Sequence, residues 1–192
     1  MYTADPLLLE SYWKEIETEY SKKDRHYHNL SHLDALIGEL LLYREKFSDW
    51  SAVVFAIAYH DVVYNTLKTN NEERSAELAT LRLSKVSFPV MSLTQCDRLI
   101  RATKRHERAD FETNLFTDAD LSILGADSDR YLTYVNSIRR EYSVYPDLLY
   151  NPGRKKALRH FLDMERIFKT DEFAAKYEQQ ARQNIEGELK ML

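Results

Sequence analysis

Cysteine is nearly absent: Cys96 stands alone in 192 residues. That excludes an internal disulfide framework and any zinc site built from several thiolates. Placed in a helical pattern, it reads as a small core residue rather than a nucleophile. Glycine and proline are equally sparse, at 4 each, which argues against a loop-rich or all-β architecture and for long helices. Positive charge is not in excess. The 27 Lys and Arg are outnumbered by 31 Asp and Glu, for a net charge of -4, so there is no electrostatic case for nucleic acid or an anionic membrane as the main partner. No apolar run approaches the roughly 20 residues that cross a bilayer. The first residues lack the basic start and apolar run of a signal peptide, and a cytoplasmic protein is expected.

What is present is ordinary for a globular chain, 44% hydrophobic and 30% charged. The length fits one domain over residues 1–192 with a substantial core. The organising stretch is Ser51-Ala-Val-Val-Phe-Ala-Ile-Ala-Tyr-His60-Asp61-Val-Val-Tyr64. Residues 52–59 carry no charge and are apolar on every side of a helical wheel, the pattern of a helix in the middle of a fold. It ends in an imidazole beside a carboxylate. Burying an ionised Asp without compensation costs several kcal/mol or forces it to take up a proton. A divalent metal shared with His60 would compensate Asp61. A His60–Asp61 hydrogen bond, or an Arg from another helix, would serve as well.

The rest of the chain reads as helices. Pro6 opens the first, with Leu7, Leu8, Trp13, Ile16 and Tyr20 behind it. Asn29 or Ser31 caps the next, whose stripe is Leu33, Leu36, Ile37, Leu40 and Leu41, with His32 at its border. After the central helix, Asn70 or Asn71 caps a helix whose small-residue stripe Ala76, Ala79, Leu83 extends back to Glu72. Glu73 falls on the solvated side with Glu77 and Thr80. For Glu72, first-turn complementarity to the helix dipole is the structural alternative to chemistry. A helix from Ser92 to His106 is expected, its inward line Cys96, Leu99/Ile100, Thr103 and His106, with Arg98, Arg101 and Arg105 as a solvated strip. In the stretch 115–125, Asp118 and Asp120 are two apart and cannot point the same way on a helix. Asp118 is the more natural cap, which leaves Asp120 for chemistry. Helices over 129–142, 154–168 (after Asn151-Pro-Gly153) and 172 to the last residue complete an all-α bundle.

His32, His60, Asp61 and Asp120 thus offer two imidazoles and two carboxylates, mixed N/O ligation suited to a divalent first-row ion. The residues also resemble a family. The order His32, His60-Asp61, Asp120 is similar to the HD superfamily of metal-dependent phosphohydrolases, and closer still to a bacterial branch of predicted HD-superfamily phosphohydrolases. Five stretches carry the resemblance: Tyr27-His-Asn-Leu-Ser-His32, Ala58-Tyr-His-Asp-Val-Val-Tyr64, Asn71-Glu-Glu-Arg-Ser-Ala76, Ala102-Thr-Lys-Arg-His106 and Asp118-Ala-Asp-Leu-Ser-Ile-Leu-Gly125. They run over residues 27–125, and the later helices, 129–192, are expected to pack on that core.

The resemblance implies an HD-type helical domain in which His32, His60, Asp61 and Asp120 hold one divalent ion (Mn, Fe, Co, Ni, Zn or Mg). Asp120 is preferred to Asp118 because the superfamily's last ligand commonly sits in an Ala-Asp pair, here Ala119-Asp120. The activity implied is hydrolysis of a phosphoester, mono- or diester, by metal-activated water. Asp61 or Glu72 would take the proton, and His106, with Lys104 nearby in sequence, would offset phosphoryl charge. His28 would orient His32 or contact substrate. The partner implied is a small phosphorylated molecule such as a nucleotide. The apolar stripes of the last helices leave a homodimer open.

Val62-Val63-Tyr64 replaces the Gly-Tyr-Pro signature of the cyclic-dinucleotide branch, and no alarmone-type synthetase domain is appended. Neither substrate is therefore carried over. An HD-type di-iron oxygenase using Glu72 and His106 as extra ligands, and a non-catalytic metal or nucleotide sensor, are the rival readings.

Overall fold

The computed structural model describes residues 5–192, and among them the chain is all-α, with nine α-helices and no strand. The helices are α1 (Pro6–Tyr20), α2 (Leu30–Leu41), α3 (Trp50–Tyr59), α4 (Asn71–Lys85), α5 (Val90–Ala102), α6 (Phe111–Asp120), α7 (Ser128–Glu141), α8 (Asp147–Asp163) and α9 (Asp171–Met191). Short 3-10 turns cover Arg44–Lys46 and Leu121–Gly125. The chain divides into two compact units, the first ending at Thr117 and the second Asp118–Leu192, so the division falls inside α6. Among the described residues, no helix is long and apolar enough to cross a membrane.

Local chemistry sets most helix starts in the first unit. Pro6 is the first residue of α1, and the Asp5 carboxylate accepts from the Leu7 amide at 3.0 Å. Asn29 caps α2 by accepting from the Ser31 amide at 2.9 Å. Asp49 caps α3 through the Ala52 amide at 3.1 Å. The core of this unit is α3, packed against α2, α4 and α5. Ala52, Val53, Ala56, Ile57 and Tyr59 are buried, whereas Val54 is 38% exposed, so the helix is apolar all round but not covered all round. Cys96 lies buried in α5, and burial pushes its thiol up to about 12, the state of an inert core residue.

Two expectations about helix limits are corrected. α5 ends at Ala102 rather than His106. The Thr103 hydroxyl turns back to the Ile100 carbonyl at 2.8 Å, and the His106 amide closes on the Ala102 carbonyl at 3.1 Å with φ of 50°. This is a left-handed helix stop with histidine in the place glycine usually takes. The eighth helix begins at Asp147, not Arg154, with Pro152 inside it. The carbonyl that Pro152 cannot serve belongs to Leu148, which is 85% exposed, so water can replace the missing bond.

In the second unit α9 packs on the Leu121–Gly125 turn and on α8. Gly125 is required there, because a Cβ would lie 2.6 Å from Tyr177 Cβ and 2.7 Å from its carbonyl oxygen. The Asn184 side chain donates to the carbonyls of Leu124 and Ala126, both at 2.8 Å, and ties the turn to α9. Buried Glu188 receives both Arg154 Nε (2.7 Å) and Nη2 (3.0 Å), together with the Tyr131 hydroxyl (2.5 Å). That arrangement leaves no buried charge uncompensated.

Candidate metal centre

The last turn of α3 carries His60 at its C-cap and Asp61 directly after it. His32 sits in the first turn of α2, on the face that also buries Leu33 and Leu36. Packing of α2 against α3 brings His32 Nε2 to 3.1 Å from His60 Nε2. Asp61 Oδ2 lies 3.1 Å from His60 Nε2 and 3.9 Å from His32 Nε2. His32 and His60 are 6% and 1% exposed. Among the described residues these three form the one group whose ligand atoms converge within 4.8 Å.

The proton on His60 is what makes the group informative. Its Nδ1 faces the Ile57 carbonyl at 2.9 Å, and that acceptor fixes the neutral tautomer with hydrogen on Nδ1. Nε2 then presents a lone pair to Asp61 Oδ2, itself only an acceptor when ionised. Two acceptors 3.1 Å apart need a metal ion or a further proton between them, the proton being carried by His60 Nε2 or by Asp61 Oδ2. Ligands bonded at about 2.1 Å stand about 3.0 Å apart in octahedral geometry and about 3.4 Å apart in tetrahedral geometry. The two 3.1 Å separations lie near both values, and the 3.9 Å separation would close by about 0.5 Å for tetrahedral or about 0.9 Å for octahedral geometry. An N, N, O set with no sulfur suits a divalent first-row metal.

The surroundings hold this geometry. His28 packs against Tyr64 with the rings tilted (centroids 4.4 Å apart) and brings its Nε2 to 3.9 Å from Asp61 Oδ2. Its side chain, 19% exposed, is the most open of the three imidazoles. Phe116 meets the His60 ring edge-on at 6.4 Å. The loop after Asp61 is pinned to α4. Val63 donates to the Ser75 hydroxyl at 3.0 Å, and Asn71 exchanges bonds with the Asn65 backbone at 3.2 and 3.0 Å. Asn71 therefore secures the loop, and Asn70 occupies the cap position without a side-chain bond.

The other predicted site residues are spread more widely. Glu72 is half-buried on α4 beside buried Ala76 and Ala79, as its stripe implies. Burial raises its carboxyl above the usual range, and the negative charge of Asp61 adds to the rise. Glu73 is not simply solvated. It pairs with Lys104, whose ammonium also donates to the Thr69 carbonyl at 2.7 Å, so Lys104 is engaged in holding the 62–70 loop. His106 is half-buried after α5. Arg98 and Arg101 are exposed and paired with Asp110 and Asp97, as a solvated strip would be.

Asp118 and Asp120 belong to the second unit. Asp120 is half-buried at the end of α6. Asp118 is not the cap expected of it, since it lies inside α6. Fully buried within α6, it accepts from the Lys169 amide (2.9 Å), the Thr170 amide (2.7 Å) and the Thr170 hydroxyl (2.8 Å) at the start of α9. Sequence reasoning missed Arg25. This arginine is buried and donates to the Asp61 backbone carbonyl at 2.7 Å. No protein-family model, curated protein or solved structure matches the chain.

Proposed function

We propose that the chain is a metal-dependent phosphohydrolase of the HD type, acting on a small phosphorylated molecule. The observation that carries this reading is the convergence of His32 Nε2, His60 Nε2 and Asp61 Oδ2 at 3.1, 3.1 and 3.9 Å, with the His60 proton committed to Ile57. His32, His60 and Asp61 would hold a divalent ion. Such an ion supplies Lewis-acid polarisation of a phosphoester and acidifies water that it binds.

The chain's own residues supply the rest. His60 is buried with its Nδ1 directed at the Ile57 carbonyl, which leaves Nε2 for the ion. Glu72, with its acid form favoured by burial and by Asp61, is suited to hold and return a proton. His106 would meet phosphoryl oxygens from the left-handed stop after α5. Holding histidine where glycine fits more easily costs some stability, and a role for its side chain would account for that. Lys104, paired with Glu73, acts on substrate only indirectly, through the loop it ties.

The test is a screen of phosphatase and phosphodiesterase substrates with the metal-loaded protein and with Glu72→Gln and His106→Ala. Turnover reduced by about 100-fold in both variants, at unchanged metal content, is expected from the loss of a proton carrier or charge stabiliser. Turnover intact in both contradicts the assigned roles.

A further inference from the structure

We infer that Arg25 is a positioning residue that sets the approach of the two segments bearing the cluster, an inference that rests on the metal-centre reading above. The guanidinium is buried, 6% exposed. Its Nη1 donates to the His28 carbonyl at 3.1 Å and the Asp61 carbonyl at 2.7 Å, while Nη2 donates to the Val62 carbonyl at 2.9 Å. One planar group thus joins the segment entering α2, which carries His32, to the segment leaving α3, which carries His60 and Asp61. The guanidinium lies over two rings, Tyr20 at 4.8 Å and Tyr64 at 5.3 Å.

Both rings have a second link to the site. The Tyr20 hydroxyl accepts from the Asp61 amide at 3.1 Å, and the Tyr64 ring packs against His28 at 4.4 Å. Asp61 is therefore gripped at its carbonyl by Arg25 and at its amide by Tyr20. Groups fixing the backbone of a ligand residue set the ligand's reach, and their loss typically lowers metal affinity by about 10- to 100-fold. Lysine cannot replace this arrangement, because its single ammonium cannot reproduce two nitrogens spread over three carbonyls in one plane.

The test is titration of the chelator-dialysed full chain with cobalt(II), following the visible ligand-field bands, which report affinity and coordination geometry together. Wild type, Arg25→Lys and Tyr20→Phe are compared with Arg82→Ala, which removes a bidentate pair to Glu15 (2.7 Å) instead. Urea midpoints are measured for each. Arg25→Lys is expected to weaken cobalt binding at least about 10-fold and to alter the bands. Tyr20→Phe should act in the same direction by less, and Arg82→Ala should lower the urea midpoint while binding cobalt as wild type does. Should Arg25→Lys fail to fold, Tyr20→Phe decides. Wild-type binding and bands in Arg25→Lys, or in Tyr20→Phe when it decides, overturn the inference. So does an equal loss in Arg82→Ala, which would reduce the effect to general stability. Wild type that takes up no cobalt instead removes the metal reading, and this inference with it.

Discussion

Asp61 and Asp118 are both aspartates largely withdrawn from water, one in each compact unit. Asp118 is fully buried and accepts from three donors, two backbone amides and a hydroxyl, at 2.7–2.9 Å. Asp61, 15% exposed, lies among imidazole nitrogens at 3.1, 3.9 and 3.9 Å, and the nearest of them has its proton directed at a carbonyl. Glu188 sides with Asp118, since arginine and tyrosine complete it. A carboxylate surrounded by donors is a structural device. One that faces another acceptor is set for a cation, and the chemistry of the neighbours rather than burial distinguishes the two cases.

Substitution at each carboxylate should separate them. Asp118→Ala strands the donors at the start of α9 with the Lys169 ammonium 3.9 Å away, and a loss of about 3 kcal/mol is expected in urea unfolding. Added manganese should not restore it. Asp61→Asn should behave in the opposite way. In chelator-treated protein its stability should lie within about 1 kcal/mol of wild type. With manganese at 100-fold over its Kd, wild type should gain about 2.7 kcal/mol and the variant nothing. Thermal melts with and without metal read both. Equal responses of the two carboxylates would erase the distinction.

Glu72 sharpens it further. Its folded pKa is raised above the ordinary 4.5, so the stability linked to its acid form is full below 4.5 and is lost as the pH rises through the folded value. Glutamine does not ionise. Chelator-treated Glu72→Gln should therefore be more stable than wild type at pH 7, with the difference closing as the pH falls below 4.5. A constant difference across pH would place the effect elsewhere. The smallest effect is expected at His106, where φ is 50°. His106→Gly should gain up to about 1 kcal/mol in thermal unfolding while losing turnover.

The fold was legible where local chemistry decides. Asn29 and Pro6 mark real helix starts, and the stripe Ala76, Ala79, Leu83 is buried with Glu72 at its edge. The cluster was legible too, because His60 and Asp61 end an uncharged helix and His32 borders a stripe. What escaped depends on contacts distant in sequence. Asp118 is about fifty positions from the amides that donate to it, and Gly125 is small because α9 passes against it. Arg25 grips carbonyls 36 and 37 positions away, and carbonyls leave no residue-type signature. Pro152 misled because proline usually breaks a helix, yet the bond it forgoes is one that water can supply.

The central claim is that His32, His60 and Asp61 hold a divalent ion, and elemental analysis of wild type and Asp61→Ala, purified without chelator, tests it most directly. Near-stoichiometric metal in wild type and little in the variant is the predicted result. Absence of metal from both, even after incubation with manganese, would contradict the claim and make the His60–Asp61 contact one bridged by a proton.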